Sequence, residues 1–259
     1  SILDGIVMGG GAGLMFASSF KIATERTRFA MPEIGVGLFP DVGFTSVIKD
    51  LPEGLGLYIM LTSTQLNAAD TLFCKLTDCS LSSEDLGKFY KDIQKTEWKE
   101  GKKDNIKILN SIVHQDGYTN KLNNFPNSKL KEELSNIQSL TNASNISEVA
   151  KNILSNPSKD GWYSKGKESL LRGSPTSAHL IWLQCQSSSF LNLKEVFQFE
   201  LNLAIQITRM GDFKEGIRAL IIDKDNKAKW KYDSISNTPS AWLERHTDLA
   251  WDTNPLEDL

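Results

Sequence analysis

Two acidic residues in an apolar, glycine-rich stretch are the side chains of this sequence best suited to acid–base chemistry. Glu33 follows Met31-Pro32 and has apolar neighbours on both sides, and Asp41 follows Phe39-Pro40. Because burial among apolar side chains disfavours an ionised carboxyl group, we expect the pKa of Glu33 to rise toward the range useful to a general base. Two alternatives stay open: Glu33 is a capping or solvated carboxylate, and Asp41 is the N-cap of a helix predicted over 42–46.

A glycine triplet offers a second kind of chemistry. The apolar run Ile2–Met8 predicts a buried strand, and Gly9, Gly10 and Gly11 predict a tight turn from that strand into a helix. Backbone N–H groups in the first turn of a helix have no internal acceptor, so the turn suits a phosphate, a carboxylate or the oxyanion of a carbonyl under attack. A dinucleotide fingerprint starting at Gly9 would need a glycine where Leu14 stands. The alternative that these glycines serve only close helix–strand packing stays open.

Short strands and amphipathic helices are predicted to position these groups. Strands are predicted over 22–23, 27–30 and 76–81. Helical patterns follow in three groups: two near the glycine turn, four in the polar middle of the chain, and three near its end. They cover 55–61 and 66–76; 85–95, 105–114, 129–140 and 146–155; and 176–186, 193–210 and 216–222. Ser174 is the predicted N-cap of the helix that starts near Pro175, and the apolar stripe of 193–210 is interpreted as core.

Composition is that of a globular protein and argues against several function classes. The chain has 259 residues, of which 40% are hydrophobic and 24% charged, so it can bury a core. A net charge of −3 lacks the basic footprint of a nucleic-acid-binding protein, and no apolar run is long enough to cross a membrane. Three cysteines and three histidines show no metal-ligand spacing, which predicts no metal site. The absence of GxSxG argues against a serine hydrolase.

The motifs together resemble a known superfamily. The glycine triplet, the segment MPE that ends at Glu33 and the segment GLFPDVG that contains Asp41 are similar to those of the crotonase, or enoyl-CoA hydratase/isomerase, superfamily. Ser174–Ser177 and Asp212–Ala219 extend the resemblance, which is greatest to the 3-hydroxyisobutyryl-CoA hydrolase branch. It implies an α/β protein that contains the C-terminal portion of a crotonase-like ββα spiral core with added helices. Four segments are predicted: a site-bearing half of the core (1–80), a helical insertion or extension (81–170), a C-terminal helical part (171–231) and an extended tail (232–259).

Roles for individual residues follow from the resemblance. Gly10 is expected to supply one backbone N–H of an oxyanion hole for a thioester carbonyl. Glu33 is expected to attack the thioester or to activate water, and Asp41 to bind the substrate hydroxyl or orient the reacting groups. Gly13 occupies the position of a second catalytic glutamate in hydratases, which disfavours simple hydration. Substrate contacts are expected at Gly9, Gly11, Gly37 and Phe39.

The implied reaction is hydrolysis of 3-hydroxyisobutyryl-CoA to 3-hydroxyisobutyrate and CoA, a step of valine breakdown. No metal or redox cofactor is expected, since coenzyme A enters as part of the substrate. The implied location is the mitochondrial matrix in a eukaryote and the cytoplasm otherwise, with no membrane association. Isomerisation, which also uses a single carboxylate, is a weaker alternative. A crotonase-fold structural subunit of a ribonucleoprotein assembly, such as the small subunit of the mitochondrial ribosome, is another.

A further polypeptide segment is expected to complete the site. In the superfamily, residues that precede the glycine turn supply the other oxyanion N–H from an alanine–glycine loop and hold part of the CoA. This chain contains no counterpart of them. Two alternatives stay open: the sequence is the C-terminal portion of a larger or split polypeptide, or it is a relative that has lost this half of the site and kept the fold for another purpose. We expect a second polypeptide that supplies the missing half, or a homo-oligomer.

Overall fold

A computed structural model describes residues 1–118 and 125–259 of the chain, which divide into two compact units. The first unit comprises 1–29 and 65–133, and the second comprises 30–64 and 134–259. The strands of the described residues all lie in the first unit, where β1, β3 and β5 form a parallel sheet and β2 and β4 a parallel pair. They are β1 (Ile2–Leu3), β2 (Ile6–Val7), β3 (Ile22–Ala23), β4 (Arg28–Phe29) and β5 (Cys79–Ser80).

The strand predicted over Ile2–Met8 is interrupted. Its two pieces, β1 and β2, belong to different sheets, because the chain bends at Gly5, whose φ is +138°. Asp4 holds this bend: its carboxylate accepts hydrogen bonds from the side chains of Arg26 and Thr24, the latter at 2.8 Å. A glycine at this left-handed φ avoids the strain that a side chain would meet.

Helices make up most of the remaining chain. Those that match the predicted bounds to within one residue at each end are α3, α5, α7, α8, α10 and α11, whereas α9 and α13 were not predicted. The helices are α1 (Gly10–Ala17), α2 (Phe44–Ile48), α3 (Leu55–Thr62), α4 (Ala68–Phe73), α5 (Leu86–Gln94), α6 (Lys102–Val113), α7 (Lys129–Thr141), α8 (Ile146–Ser155), α9 (Gly161–Arg172), α10 (Pro175–Ser187), α11 (Leu193–Met210), α12 (Asp212–Ile217) and α13 (Ser240–Thr247). A single π-helical turn, Arg218–Ile222, follows α12.

Helix α9 was missed because a glycine interrupts its pattern. Gly166 lies where α9 crosses α3: a Cβ there would stand 3.1 Å from Cβ of Thr62. Glycine lowers intrinsic helix propensity, and here it allows two helices to approach closely. Asp160 supplies the N-cap of α9 by accepting the N–H of Trp162 at 2.8 Å.

The tail predicted as extended contains a helix and packs on its own chain. Trp242 of α13 stacks edge-on against Tyr232, with ring centroids 5.6 Å apart, and its indole N–H donates to Thr176 Oγ1 at 3.3 Å. Beyond α13, the carbonyl of Asp248 accepts hydrogen bonds from Asn202 at 3.1 Å and Gln206 at 2.7 Å, both on α11. The extended prediction was wrong for Ser240–Thr247, which form α13 and pack against α11, a contact distant in the sequence that no local pattern reveals.

The two units group the chain differently from the four segments predicted from the sequence, and that segmentation stays a prediction. In the first unit, the sheet packs against α5 and α6 through a cluster of buried apolar side chains that includes Phe20, Ile22, Leu81 and Phe89. The second unit contains α10, whose N-cap is Ser174 and whose first residue is Pro175, as predicted. No helix in the described ranges is both long and apolar enough to cross a bilayer.

Candidate active site

Glu33 begins a single 3₁₀ turn, Glu33–Val36, in the second unit, here called the Glu33 turn. Its side chain is only 6% exposed, and Oε2 has no hydrogen-bond partner among the residues that the structure describes. Burial raises the pKa of Glu33 to about 7, and the negative charge of Asp41 adds to this, while the residue's own backbone N–H opposes it. The solvated alternative was therefore wrong, and the predicted pKa rise is confirmed.

Asp41 lies in the segment 39–45, here called the Asp41 loop, between buried Pro40 and buried Gly43. It is half-buried, and burial raises the pKa of its carboxyl group. The N-cap of α2 is Gly43, and no side-chain hydrogen bond caps that helix. The alternative that Asp41 caps a helix was therefore wrong, which leaves its carboxylate available beside Glu33.

Glu200 of α11 is a third carboxylate of this cluster, and it was not among the residues predicted from the sequence. It is 4% exposed, its Oε2 accepts the N–H of Gly43 at 2.8 Å, and its Oε1 accepts the N–H of Thr45 at 3.1 Å. Burial raises the pKa of Glu200 to about 7 against the opposing effect of these hydrogen bonds, and the charge of Asp41 adds to the rise.

A sequence signal for Glu200 did exist. It lies four residues after Val196 and three before Leu203, both buried, so it shares the apolar face of α11. An acidic residue at a core position of a helix needs a partner and marks a candidate site. Glu200 is thus a polar exception within a stripe predicted to be core.

Close backbone packing holds the Glu33 turn in place. A Cβ on Gly216 of α12 would stand 2.0 Å from the carbonyl oxygen of Val36, so only glycine fits there. The carbonyl of Ile34 accepts the N–H of Ser174 at 3.0 Å. The turn that carries Glu33 is thus fixed by α12 on one side and by the start of α10 on the other.

Asp212 links these supports to each other. Its Oδ2 accepts the hydroxyl of Ser174 at 2.6 Å, and its Oδ1 accepts the N–H of Lys231 at 2.8 Å. Ser174 and Asp212 come from the C-terminal motifs singled out in the sequence. Their role in the structure is to support the turn that carries Glu33.

We expect Gly216→Ala to destabilise the protein strongly. The added methyl group overlaps the backbone of Val36, and forced overpacking of this kind lowers the free energy of unfolding by about 3 kcal/mol. Gly161→Ala is the matched control, since a Cβ there meets no described atom within 4 Å. Urea unfolding of both variants measures the difference, and equal midpoints would contradict the packing described.

Gly37 and Phe39 lie in the second unit with the carboxylates. Gly37 ends the Glu33 turn at φ +72°, and a Cβ there would stand 2.4 Å from the carbonyl oxygen of Asp212 and 2.9 Å from the ring of Trp230. Phe39 is fully buried. Both residues shape the backbone around the carboxylates, and the substrate contacts expected of them stay a prediction.

The glycine turn belongs to the first unit and starts α1, as predicted. The N–H of Gly11 donates to Met8 O at 3.1 Å, and those of Ala12 and Gly13 donate to Gly9 O. Within the described part of the chain, the N–H of Gly10 has no acceptor. This leaves at Gly10 the unsatisfied donor that an oxyanion would need.

Close packing does not explain the triplet. A Cβ on Gly9, Gly10 or Gly11 would meet no described atom within 4 Å, so the packing alternative was wrong for these three glycines. Gly9 itself adopts φ +51°, a conformation that glycine reaches without strain.

Two cavities of the second unit lie apart from the carboxylates. One of about 800 Å³ is lined by residues of α2, α3, α7 and α10. One of about 560 Å³ is lined by residues of α8 and α9, by Pro175 and by residues within 230–236. Neither is lined by Glu33, Asp41 or Glu200. Across 1–118 and 125–259, no group of three or more His, Cys, Asp or Glu side chains is arranged to hold a metal ion.

Curated relatives are hydrolases by name. The chain is 32% identical to mitochondrial 3-hydroxyisobutyryl-CoA hydrolase of Xenopus laevis over 94% of its length and 33% identical to that of Danio rerio over 95%. The human enzyme of that name is 31% identical over 95% of the chain. The chain spans about 62% of the length of each of these relatives.

Solved structures show the same fold. A carnitinyl-CoA dehydratase from Mycobacterium thermoresistibile superposes with a TM-score of 0.83 at 23% identity, covering 100% of this chain and 70% of that one. An enoyl-CoA hydratase from Rhodobacter sphaeroides 2.4.1 superposes with a TM-score of 0.79 at 21% identity, covering 96% of this chain and 68% of that one. The family model for enoyl-CoA hydratase/isomerase matches residues 1–247. The chain therefore belongs to the enoyl-CoA hydratase/isomerase family and has the crotonase fold.

Proposed function

We propose that this chain carries the acid–base half of an acyl-CoA thioester hydrolase that acts on a short branched 3-hydroxyacyl-CoA such as 3-hydroxyisobutyryl-CoA. The observation that carries the proposal is the buried carboxyl group of Glu33, which has an unpartnered oxygen and a pKa of about 7. A carboxyl group of this kind can accept and return a proton near neutral pH. The names of the curated relatives support the choice of thioester hydrolysis.

In one route, Glu33 acts as a general base. Its carboxylate takes a proton from water while the water oxygen bonds to the thioester carbon, and the carbonyl oxygen becomes an oxyanion. Collapse of this intermediate breaks the carbon–sulfur bond, and Glu33 returns its proton to the leaving thiolate. The products are the free 3-hydroxy acid and CoA, and no electron acceptor or donor is required.

In the other route, Glu33 is the nucleophile. A carboxylate oxygen bonds to the thioester carbon and expels the thiolate, which leaves a mixed anhydride that water then hydrolyses. Asp41 binds the substrate hydroxyl or orients the reacting groups in both routes. The Gly10 N–H is the proposed donor to the oxyanion.

The proposed substrate partner is an acyl-CoA, and the mechanism uses no metal or redox cofactor. The proposed location is the mitochondrial matrix in a eukaryote, by analogy with the relatives named mitochondrial, and the cytoplasm otherwise. The reported relatives are named as enzymes, and no comparison favours the ribosomal scaffold, so we do not propose it.

A further polypeptide segment is part of the proposal. Ile6 on β2 and Leu14 on α1 are 73% and 75% exposed, and large apolar side chains gain free energy when a partner covers them. We propose that either more of a longer chain, a second polypeptide or another copy of this protein covers them and completes the site.

The expected pH profile follows from Glu33. Both routes need Glu33 as a carboxylate. Its carboxyl group loses its proton as the pH rises through about 7. We therefore expect kcat/KM to increase tenfold per pH unit below about pH 7 and to level off above about pH 8. Thiol release measured with a reagent that works at acidic pH checks this, and a half-maximal rate near the ordinary glutamate pKa would contradict it.

Thiol release from 3-hydroxyisobutyryl-CoA by the complete natural protein, with any partner bound, tests the function. The expected result is stoichiometric formation of CoA and the free acid. Crotonyl-CoA, a substrate for hydration, and a 3-enoyl-CoA, a substrate for isomerisation, serve as controls because neither reaction releases thiol. Conversion of a control without any hydrolysis would overturn the proposal.

A further inference from the structure

The Asp41 loop is held in an uncommon backbone conformation. Val42 has φ +55° and Gly43 has φ +83°, so two consecutive residues after Asp41 are left-handed. A β-branched residue such as valine rarely adopts positive φ, and it persists there only when its surroundings impose it. Asp41 and Val42 are half-exposed, whereas Pro40, Gly43 and Thr45 around them are buried.

Two buried polar side chains impose this conformation, one on each side of Asp41. The Gln184 amide of α10 donates to Pro40 O at 2.6 Å and to Thr45 Oγ1 at 2.8 Å. Glu200 of α11 accepts the N–H groups of Gly43 and Thr45, as described above. The chain is thus bound immediately before Asp41 and again two residues after it.

A carboxylate is a costly choice for this purpose. Glu200 is 4% exposed, and its hydrogen-bond partners in the described structure are the backbone N–H groups of Gly43 and Thr45 and the side chain of Thr45, none of them a cation. Serine or asparagine at the N-cap could satisfy a helix terminus at lower desolvation cost, but Gly43 holds that position. A buried carboxyl group placed beside Asp41 therefore indicates a role beyond capping α2.

We propose that Glu200 is a positioning residue for the reaction proposed above: its two backbone hydrogen bonds hold the strained Asp41 loop so that the Asp41 carboxylate faces the reacting groups. This inference rests on the proposed function. Among the residues that the structure describes, the ionisable groups that act on one another here are Glu33 on its turn, Asp41 on the loop and Glu200 on α11, while α10 contributes the uncharged Gln184.

Glu200→Gln in the complete natural protein tests the inference. The amide keeps the size of the side chain. However, its NH₂ group faces one of the two backbone N–H groups and cannot accept a hydrogen bond from it. We expect kcat to fall on the order of 10- to 100-fold with KM changed by less than about threefold, since misplaced groups slow the chemical step more than binding. Hydrogen exchange should accelerate at the amides of Gly43 and Thr45, and α8 and α9 should keep their protection.

Matched variants keep the test decisive. Glu244→Gln removes an exposed carboxylate from α13 and should change neither readout. Glu200→Asp keeps the carboxyl group on a shorter side chain that no longer reaches both backbone N–H groups, so it should also lower kcat. This variant replaces Glu200→Gln if the latter does not fold. Unchanged kcat in a folded Glu200 variant, or a rise in KM alone, would overturn the inference.

The wild-type protein separates the two proposals. Thiol release by the wild type together with an unaffected Glu200 variant refutes the positioning role and leaves the proposed function standing. A wild type without thioesterase activity refutes the proposed function and the positioning role with it. In that case, unchanged exchange at Gly43 and Thr45 in the Glu200→Gln variant would also refute the two hydrogen bonds.

Discussion

Glu33→Gln is expected to lower the rate of thiol release by about three orders of magnitude, because an amide can neither attack the thioester nor take a proton from water. The substitution preserves the shape of the side chain on the Glu33 turn. KM should change little, since the carboxylate acts on the reacting bond rather than on the CoA. Thiol release from 3-hydroxyisobutyryl-CoA under saturating substrate measures the effect.

The fold should tolerate this change, and the pKa of Glu33 gives the reason. The pKa of this carboxyl group is about 7 in the folded protein and 4.5 when unperturbed, so the folded state binds more protons between these values. The contribution of Glu33 to stability therefore falls as the pH rises from about 4.5 to about 7, by on the order of 3 kcal/mol, and stays lower above that. Glutamine does not ionise, so the variant should be at least as stable as the natural protein at pH ~8.

Glu53→Gln is the matched control, since this carboxylate is exposed and stands apart from Glu33 in the sequence. It should retain the full rate. If Glu33→Gln also kept the full rate while remaining folded, Glu33 could be neither base nor nucleophile, and the mechanism would be wrong.

Gly10→Pro should lower kcat by about 10²- to 10³-fold, because proline has no N–H to donate to the oxyanion. The corresponding loss of transition-state stabilisation is about 2.7–4 kcal/mol. The helix should survive, since Gly10 is the first residue of α1 and proline is well tolerated at that position. Circular dichroism and thermal unfolding check the fold, and single-turnover thiol release measures the chemical step.

Gly10→Ala distinguishes the loss of the N–H from any effect of added bulk. Its methyl group meets no described atom within 4 Å, and its N–H is retained, so activity should stay within about threefold of the natural protein. Equal losses in the alanine and proline variants would mean that space at Gly10, rather than its donor, is what the reaction needs.

Much of the local structure follows from neighbouring residues and was predictable for that reason. The Ser174 cap, Pro175 at the start of α10 and the span of α8 depend on side chains within a turn of each other. The desolvation of Glu33 was predictable too, because its apolar neighbours are adjacent in the chain. The missed α9 and the misjudged tail depend on packing partners distant in sequence, such as Thr62 against Gly166 and α11 against Asp248.

The sequence by itself determined the glycine turn, the buried acid at Glu33 and the family to which they point, since short motifs and apolar flanks encode all three. Only the tertiary structure decided that Asp41 caps no helix, that Gly216 supports the Glu33 turn and that Glu200 binds the Asp41 loop. Glu200 and Gly43 are 157 residues apart in the chain. Such a hydrogen bond depends on how α11 packs against α2, and periodicity or motif spacing carries no information about a contact of that range.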